Sequence, residues 1–216
     1  MQWLVSIPKK QVLQLAVSAA LVALLTVQPA RGQFFDYGFK GGAQVASFAN
    51  AENTDYLTDY HFGMFMTIRP FALPVTIRPE VLYTRMGTDY AAIPADPGFP
   101  TPPGSLHISY IQVPLLINAY IPVPGPLHPG IYAGPYIAVM TSTRFEAEGQ
   151  QVRNIDQWVQ DSDYGIMFGA LIEWDVAVTR LHTELRFVYG LESVFREDMN
   201  RDEQNRAISL SLGFAI

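Results

Sequence analysis

Two residues near the start of one extended segment have side chains suited to nucleophilic chemistry. His107 and Ser109 lie two positions apart in HISYIQVPLLINAYI (107–121), so on a strand both point to the same face. A serine beside an imidazole base is the arrangement of acyl-transfer enzymes, in which a carboxylate orients the histidine. No acidic residue occurs between Ser109 and Glu146, so the carboxylate would have to come from a neighbouring strand or loop. The pair is either catalytic or simply the polar beginning of a strand.

A second set of ionisable residues alternates with apolar residues inside segments rich in Val, Ile, Leu and aromatics. It consists of Arg78, Glu80, Glu173, Glu184, Arg186 and Glu192. Charges on one face of several strands either pair with one another in a closed interior or line a path for ions or protons. We predict a polar network that fills the interior, and a narrow channel is the alternative. Because acidic residues outnumber arginines in this set, such a channel would favour cations.

Metal, cofactor and thiol chemistry find little support in the sequence. The four histidines are scattered, and no two of them have the spacing of metal ligands. The acidic run DMNRDE (198–203) lacks the glycine and the distal glutamate of a calcium loop. The chain has no cysteine, which excludes disulfides, thiolate ligands and a cysteine nucleophile. We therefore predict no metal site and no cofactor.

The segments that carry these residues have the period of two that is typical of β-strands. We predict eight strands after residue 33 and no helix of useful length. Their predicted bounds are Asp36–Ser47, Tyr60–Arg69, Val75–Gly87, His107–Ile121, Gly130–Arg144, Asp163–Val176, Leu181–Phe195 and Arg206–Ile216.

The connections between the predicted strands alternate between long and short. The long ones are residues 48–59, 88–106, 145–162 and 196–205, and the short ones are residues 70–74, 122–129 and 177–180. Outer-membrane barrels have short periplasmic turns at one end and long external loops at the other. A soluble sandwich has no reason to separate its loops by length in this way.

The faces of the strands favour the same architecture. In ISLSLGFAI (208–216), large apolar residues occupy one parity and Ser, Gly and Ala occupy the other. A soluble barrel would place the apolar face inside, whereas a membrane barrel places it against lipid. Glycines such as Gly165, Gly169 and Gly190 share the face of the charged residues, where they leave room for Arg and Glu to pair across a narrow lumen. We therefore predict an all-β fold, an eight-stranded antiparallel up-and-down transmembrane β-barrel, with a soluble β-barrel as the alternative.

The N-terminal region has the features of a secretory signal peptide. Lys9 and Lys10 precede an apolar stretch (11–27), which ends in QPARG. We predict a signal peptide at residues 1–32, with an uncleaved anchor as the alternative, and a barrel domain at residues 33–216. Removal of the signal peptide takes away three basic residues and leaves a net charge of −9, which argues against a nucleic-acid partner.

Several segments resemble the small outer-membrane β-barrel domain of Bacteroidetes-type bacteria, a family that includes PorT-like proteins. The segment DYGIMFGALIEWDVAVTRLHTELRFVYGLESV (163–194) resembles the late hairpin of that domain. The positions that match its pattern are Gly165, Gly169, Glu173, Glu184, Arg186, Gly190 and Leu191, and Phe187 stands where the pattern usually has Tyr. SYIQVPLLINAY (109–120), AGPYIAV (133–139) and GFKGGAQVASF (38–48) are similar to earlier strands.

This resemblance implies a protein of the cell outer membrane but says little about activity. We expect a non-enzymatic barrel with a filled lumen and a structural or interaction role in the envelope. The PorT-like relatives suggest support of secretion or envelope assembly. Expected partners are outer-membrane lipid and envelope or secretion proteins, and the sequence does not fix an oligomeric state. Lipid-A deacylases, which are also eight-stranded barrels, resemble this chain in carrying a His and a Ser on the outer surface. A lipid-modifying enzyme that uses His107 and Ser109 is therefore one alternative, and the narrow channel is the other.

Overall fold

Antiparallel strands form one sheet that closes on itself in the computed structural model of the chain. The structure describes residues 35–51, 54–70, 75–90, 103–147, 150–152, 155–176, 179–196 and 202–216. The strands are β1 (Phe35–Ala49), β2 (Thr54–Asp55), β3 (Leu57–Ile68), β4 (Val75–Tyr90), β5 (Gly104–Tyr120), β6 (Leu127–Ala147), β7 (Gln150–Val152), β8 (Ser162–Val176), β9 (Thr179–Ser193) and β10 (Gln204–Ala215). The predicted signal peptide lies outside the described residues.

Eight long strands make the ring of the barrel. Each pairs antiparallel with its neighbours in the order β1, β3, β4, β5, β6, β8, β9, β10, and β10 then pairs with β1 from Gly38↔Ala215 to Ala49↔Gln204. The predicted eight-stranded antiparallel barrel is confirmed. The short strands β2 and β7 are additions at the end with the long connections, where they pair with β4 and β6. Following the loop lengths, we call this the external end and the other the periplasmic end.

The outward face of the barrel wall is apolar and exposed, and the inward face is polar and buried, as a membrane requires. Ile117 on β5 and Leu212 on β10 are 58% and 67% exposed, whereas Arg78 and Glu80 on β4 are fully buried. A soluble barrel would show the reverse, with aliphatic side chains inside and charges in water. The apolar face therefore meets lipid and the polar face fills the lumen. Separately, the described residues contain no helix with the length and apolarity needed to cross a membrane.

A glycine on β1 permits the close approach of the first and last strands. A Cβ atom added at Gly42 would overlap the carbonyl oxygen of Leu210 on β10. The adjacent Gly41 differs, because a Cβ atom there would meet its nearest neighbour, the carbonyl oxygen of His61, at an ordinary 3.5 Å. Gly42 thus has a steric role in closing the barrel that Gly41 does not share.

We predict that Gly42→Ala destabilises the folded barrel, whereas Gly41→Ala leaves its stability nearly unchanged. Overlap with backbone forces β1 and β10 apart and costs about 1–3 kcal/mol. Denaturant unfolding of the refolded protein in detergent, followed by tryptophan fluorescence, measures the difference. A gel of unboiled samples reports the folded fraction of each variant by its faster migration. Equal unfolding midpoints for the two variants would contradict the steric role of Gly42.

Candidate functional site

A cluster of five charged side chains lies in the periplasmic half of the lumen. β1 contributes Lys40, β4 contributes Arg78 and Glu80, and β9 contributes Glu184 and Arg186. In an eight-membered ring β4 and β9 lie opposite each other, with β1 midway between them. The alternation of each strand points these side chains inward, and the narrow lumen brings them into contact.

Two carboxylates hold three cations in this cluster. Lys40 Nζ donates to Glu80 Oε1 at 2.6 Å and to Glu184 Oε1 at 2.8 Å. Arg78 Nη2 donates to Glu184 Oε2 at 3.1 Å, and Arg186 Nη2 donates to Glu80 Oε2 at 2.8 Å. All five side chains are buried, so each charge depends on the others for neutralisation. The cluster is therefore a cross-brace that ties together three strands of the wall.

Tyr132 completes the cluster from the side facing β1. It lies on β6, and its ring stacks against both arginines, with the guanidinium carbons of Arg78 and Arg186 at 5.4 and 5.5 Å from the ring centre. Arg186 Nε also donates to the Tyr132 hydroxyl at 3.3 Å. Side chains from four directions thus meet at this cross-section of the lumen.

The structure brings together four of the six residues predicted for the polar network. Arg78, Glu80, Glu184 and Arg186 are in the cluster. Glu173 is buried nearer the periplasmic end, where its carboxylate accepts a hydrogen bond from Tyr120 at 2.9 Å. Glu192 lies at the external end of β9 and hydrogen-bonds with Tyr164, so it takes no part in the network.

Lys40 is the member that the sequence reasoning missed. Its signal was present, since Lys40 shares the inward parity of β1 with Gly38, Gly42 and Gln44. With Lys40 included and Glu173 and Glu192 placed elsewhere, cations outnumber carboxylates in the cluster. The excess of acidic residues behind the expected cation preference is therefore not found at this cross-section.

Neutral side chains surround the charged cluster. His61 Nε2 lies 2.6 Å from the hydroxyl of Ser211, and the ring of His182 packs edge-on against Phe65 at 4.8 Å. Over the described ranges, no three His, Asp or Glu side chains are grouped to hold a metal ion. The polar lumen is organised by ion pairs and hydrogen bonds between side chains.

Apolar side chains of the described residues pack together at the external mouth of the barrel. Phe48 packs edge-on against Tyr90 and Phe195, with ring centres 6.4 and 6.3 Å apart. Val159 forms a β-bridge with Phe195, which joins two external loops over the mouth. The buried residues of this cap are Phe48, Tyr90, Leu106, Phe145, Ile155, Val159 and Phe195. Described side chains thus occupy the lumen at two levels, with charge pairs below and an apolar cap above.

His107 and Ser109 lie elsewhere, on the outward face of β5 near its external end. His107 Nδ1 lies 2.9 Å from Asp59 Oδ2, so a carboxylate from β3 orients the imidazole. Gly87 on the intervening strand faces His107 and has no side chain to separate the pair. The Ser109 hydroxyl accepts a hydrogen bond from Tyr83 at 3.0 Å, and its described partners do not include His107. The acid that the sequence left unassigned is therefore Asp59, but the Ser–His contact is not made.

His107, Ser109 and Tyr83 line a polar cleft on the outer wall of the barrel. It has a volume of about 370 Å³ and spans the external ends of β3, β4, β5 and β6. Arg85, Ser109 and Ser142 form one cross-strand row, and Gly87, His107 and Arg144 form the next. We call this feature the outer cleft.

The closed sheet, its lipid-facing apolar wall and its filled lumen define an integral β-barrel of the cell outer membrane. Residues 27–196 match the family described as "Outer membrane protein beta-barrel domain". The chain belongs to this family.

Three solved structures are similar to the chain at low sequence identity. Neisserial surface protein A (NspA) is 14% identical with a TM-score of 0.49, over 84% of this chain and 96% of that one. A major outer membrane protein from Thermus thermophilus is 13% identical with a TM-score of 0.48, over 82% and 98%. Ail of Yersinia pestis, solved with the heparin analogue sucrose octasulfate, is 10% identical with a TM-score of 0.43, over 85% and 100%. No curated protein matches the chain significantly.

We predict that Glu184→Gln destabilises the barrel by about 3–5 kcal/mol. The substitution leaves Lys40, Arg78 and Arg186 with a single carboxylate among them, and buried charges without partners are costly. Denaturant unfolding in detergent measures the loss.

Glu146→Gln is the matched control for this variant. Glu146 pairs with Arg144 at 3.6 Å, but both side chains are about half exposed. The control variant is expected to lose less than about 1 kcal/mol. Similar losses in the two variants would show that the buried cluster does not brace the barrel.

Proposed function

We propose that this protein is a non-enzymatic, non-conducting barrel with a structural or interaction role in the cell envelope. The observation that carries the proposal is that buried side chains occupy the lumen at two levels. Three cations and two carboxylates fill one cross-section, and the apolar cap lies at the external mouth. A barrel with this interior offers no pathway for a solute, so we expect it to act through contacts made by its outer wall and its two ends.

The external end offers the larger surface for a partner. Its loops contain described residues that fold over the mouth, including the bridge between Val159 and Phe195. Within the same loop, the backbone N–H of Trp158 donates to the carbonyl of Ile155 at 3.0 Å. A loop held in one conformation loses less entropy when it binds than a mobile one. A role in secretion or envelope assembly is the finer part of the proposal, and it rests on the resemblance to PorT-like proteins.

We expect no unitary current steps from the wild-type protein reconstituted in a planar lipid bilayer. The buried ion pairs would have to separate before an ion could pass. Flotation of proteoliposomes and the mobility of unboiled samples verify insertion and folding, so that silence is not mistaken for failed reconstitution. Regular steps in the wild-type protein would contradict the closed lumen and favour the channel alternative.

A lipid-modifying enzyme is the second candidate, and the contact between His107 and Asp59 favours it. A carboxylate at Nδ1 is what orients a histidine base in a serine hydrolase. In such a reaction Ser109 would attack an acyl carbonyl while His107 Nε2 takes the hydroxyl proton. The alcohol or amine of the lipid would then leave with that proton, and water would release the fatty acid from Ser109. Ser109 would first have to exchange its contact with Tyr83 for one with His107. The lipid-facing position of the cleft suits an acylated substrate.

Mass spectrometry of lipid A from cells that express the protein separates the two candidates. Under the first, lipid A is unchanged by the wild-type chain and by Ser109→Ala. Under the second, the wild-type chain removes an acyl chain and Ser109→Ala does not. Ser105→Ala is the matched control, because Ser105 lies on the same face of β5 as Ser109 but does not line the cleft, so its loss should leave any hydrolysis intact.

A further inference from the structure

The outer cleft departs from the otherwise apolar surface that this barrel presents to lipid. Farther along β5, the outward residues Leu115 and Ile117 are more than half exposed, as expected for contact with hydrocarbon. Beyond Val113 on the same face, toward the external end, Ser109 and His107 form a patch of polar residues. The cleft therefore lies where the strands leave the apolar belt at the external end, at the level of lipid headgroups.

Hydrogen-bond donors line this cleft, and none of its lining residues is acidic. The donors that remain available are the two guanidinium groups of Arg85 and Arg144 and the hydroxyls of Ser109 and Ser142, since the Tyr83 hydroxyl donates to Ser109 and the His107 imidazole is held by Asp59. The chain as a whole carries a net charge of −6, so a concentration of cationic donors on one face is not a matter of composition. Converging donors of this kind suit a phosphate group, which offers only acceptors.

A buried carboxylate and an aromatic ring hold the Arg85 guanidinium in place. The side chain of Asp59 is only 4% exposed and lies 2.9 Å from His107 Nδ1 and 3.5 Å from Arg85 Nη1. The guanidinium of Arg85 also lies over the ring of Tyr60, 5.6 Å from its centre. Asp59 does not line the cleft and thus acts as a positioning residue, and a bound anion would meet the remaining N–H groups of Arg85. Fixed donors lose little entropy when they bind.

Arg144 supplies the adjustable side of the cleft. It lies opposite His107 on β6, and its side chain is about half exposed. Its contact with Glu146 is long, at 3.6 Å, and open to solvent, so it is weak. Arg144 can therefore leave Glu146 with little loss of free energy and turn toward an anion held by Arg85 and Ser109.

We propose that the outer cleft binds the phosphate group of a lipid headgroup in the external leaflet of the outer membrane. The acyl chains of that lipid lie against the apolar belt below, next to Ile111 and Leu115, while the phosphate reaches the donors of two adjacent strand rows. The position on the lipid-facing wall favours a membrane lipid over phosphate in solution. Binding requires no reaction at Ser109 and holds whichever of the two candidate functions is correct.

The experiment measures binding to the full-length protein refolded in detergent. Native mass spectrometry and titration calorimetry are run with phosphorylated lipid A, with the same lipid after removal of its phosphates, and with inorganic phosphate. We expect retention of the phosphorylated lipid, at least about tenfold weaker retention of the dephosphorylated form, and no measurable binding of inorganic phosphate alone.

Three variants assign the binding to the cleft. Arg85→Gln and Arg144→Gln are each expected to weaken retention of phosphorylated lipid A by about tenfold. Arg144 is half exposed and its variant should fold even where Arg85→Gln does not, and gel mobility of unboiled samples checks this. Arg206→Gln is the matched control. Arg206 is also at the external end, but on the opposite wall, where it lies over Tyr189.

Two kinds of result would overturn the proposal. Equal retention of the phosphorylated and dephosphorylated lipids, or an equal loss in Arg206→Gln, would show that the cleft does not recognise a lipid phosphate. If inorganic phosphate bound as tightly as the lipid, the cleft would be a site for free anions and not for a lipid headgroup. Neither result affects bilayer conductance, so this proposal and the closed-lumen proposal fail independently.

Discussion

Hydrocarbon offers no partner to a backbone N–H or C=O group, and this constraint governs the whole structure. A sheet can satisfy it only by closing, since an open edge in lipid would leave a row of groups without hydrogen bonds. The pairing of β1 with β10 along twelve residue pairs achieves closure. Closure in turn fixes an inside, and eight strands make that inside so narrow that side chains from opposite walls meet. The ion pairs and the apolar cap are consequences of this geometry.

The charged cluster joins residues that are far apart in the sequence across the narrow lumen. Glu184 on β9 receives hydrogen bonds from Lys40 and Arg78, which lie 144 and 106 positions away in the chain. Such contacts form only when the ring is nearly complete. Buried ion pairs contribute little net stability compared with apolar packing, but removing one partner is costly. The cluster therefore discriminates against arrangements of strands that would leave a charge unpaired, and it favours one register of the barrel.

The sequence predicted the architecture well because period-two alternation is a local property that each strand carries by itself. Arg78, Glu80, Glu184 and Arg186 were placed in one network from parity alone, and the structure joins them. Glu192 has the same parity, but parity does not report height along the barrel. Asp59 could not be assigned as the partner of His107, because their contact crosses an intervening strand at Gly87. Its prediction would require the register of three strands.

The alternation between apolar and polar faces also explains why the outer cleft is informative. A strand whose outward residues are apolar, as Leu115 and Ile117 are, needs no partner other than lipid on that face. Polar residues that break the rule on a wall beside lipid need polar partners, because a polar side chain buried without one is costly. Internal pairing compensates the polar side chains of the lumen. On the outer wall, Asp59 holds Arg85 and His107 from behind, but the open side of the cleft has no protein partner of opposite charge in the described lining. A ligand with acceptor oxygens at the level of the headgroups is the compensation that this position makes available.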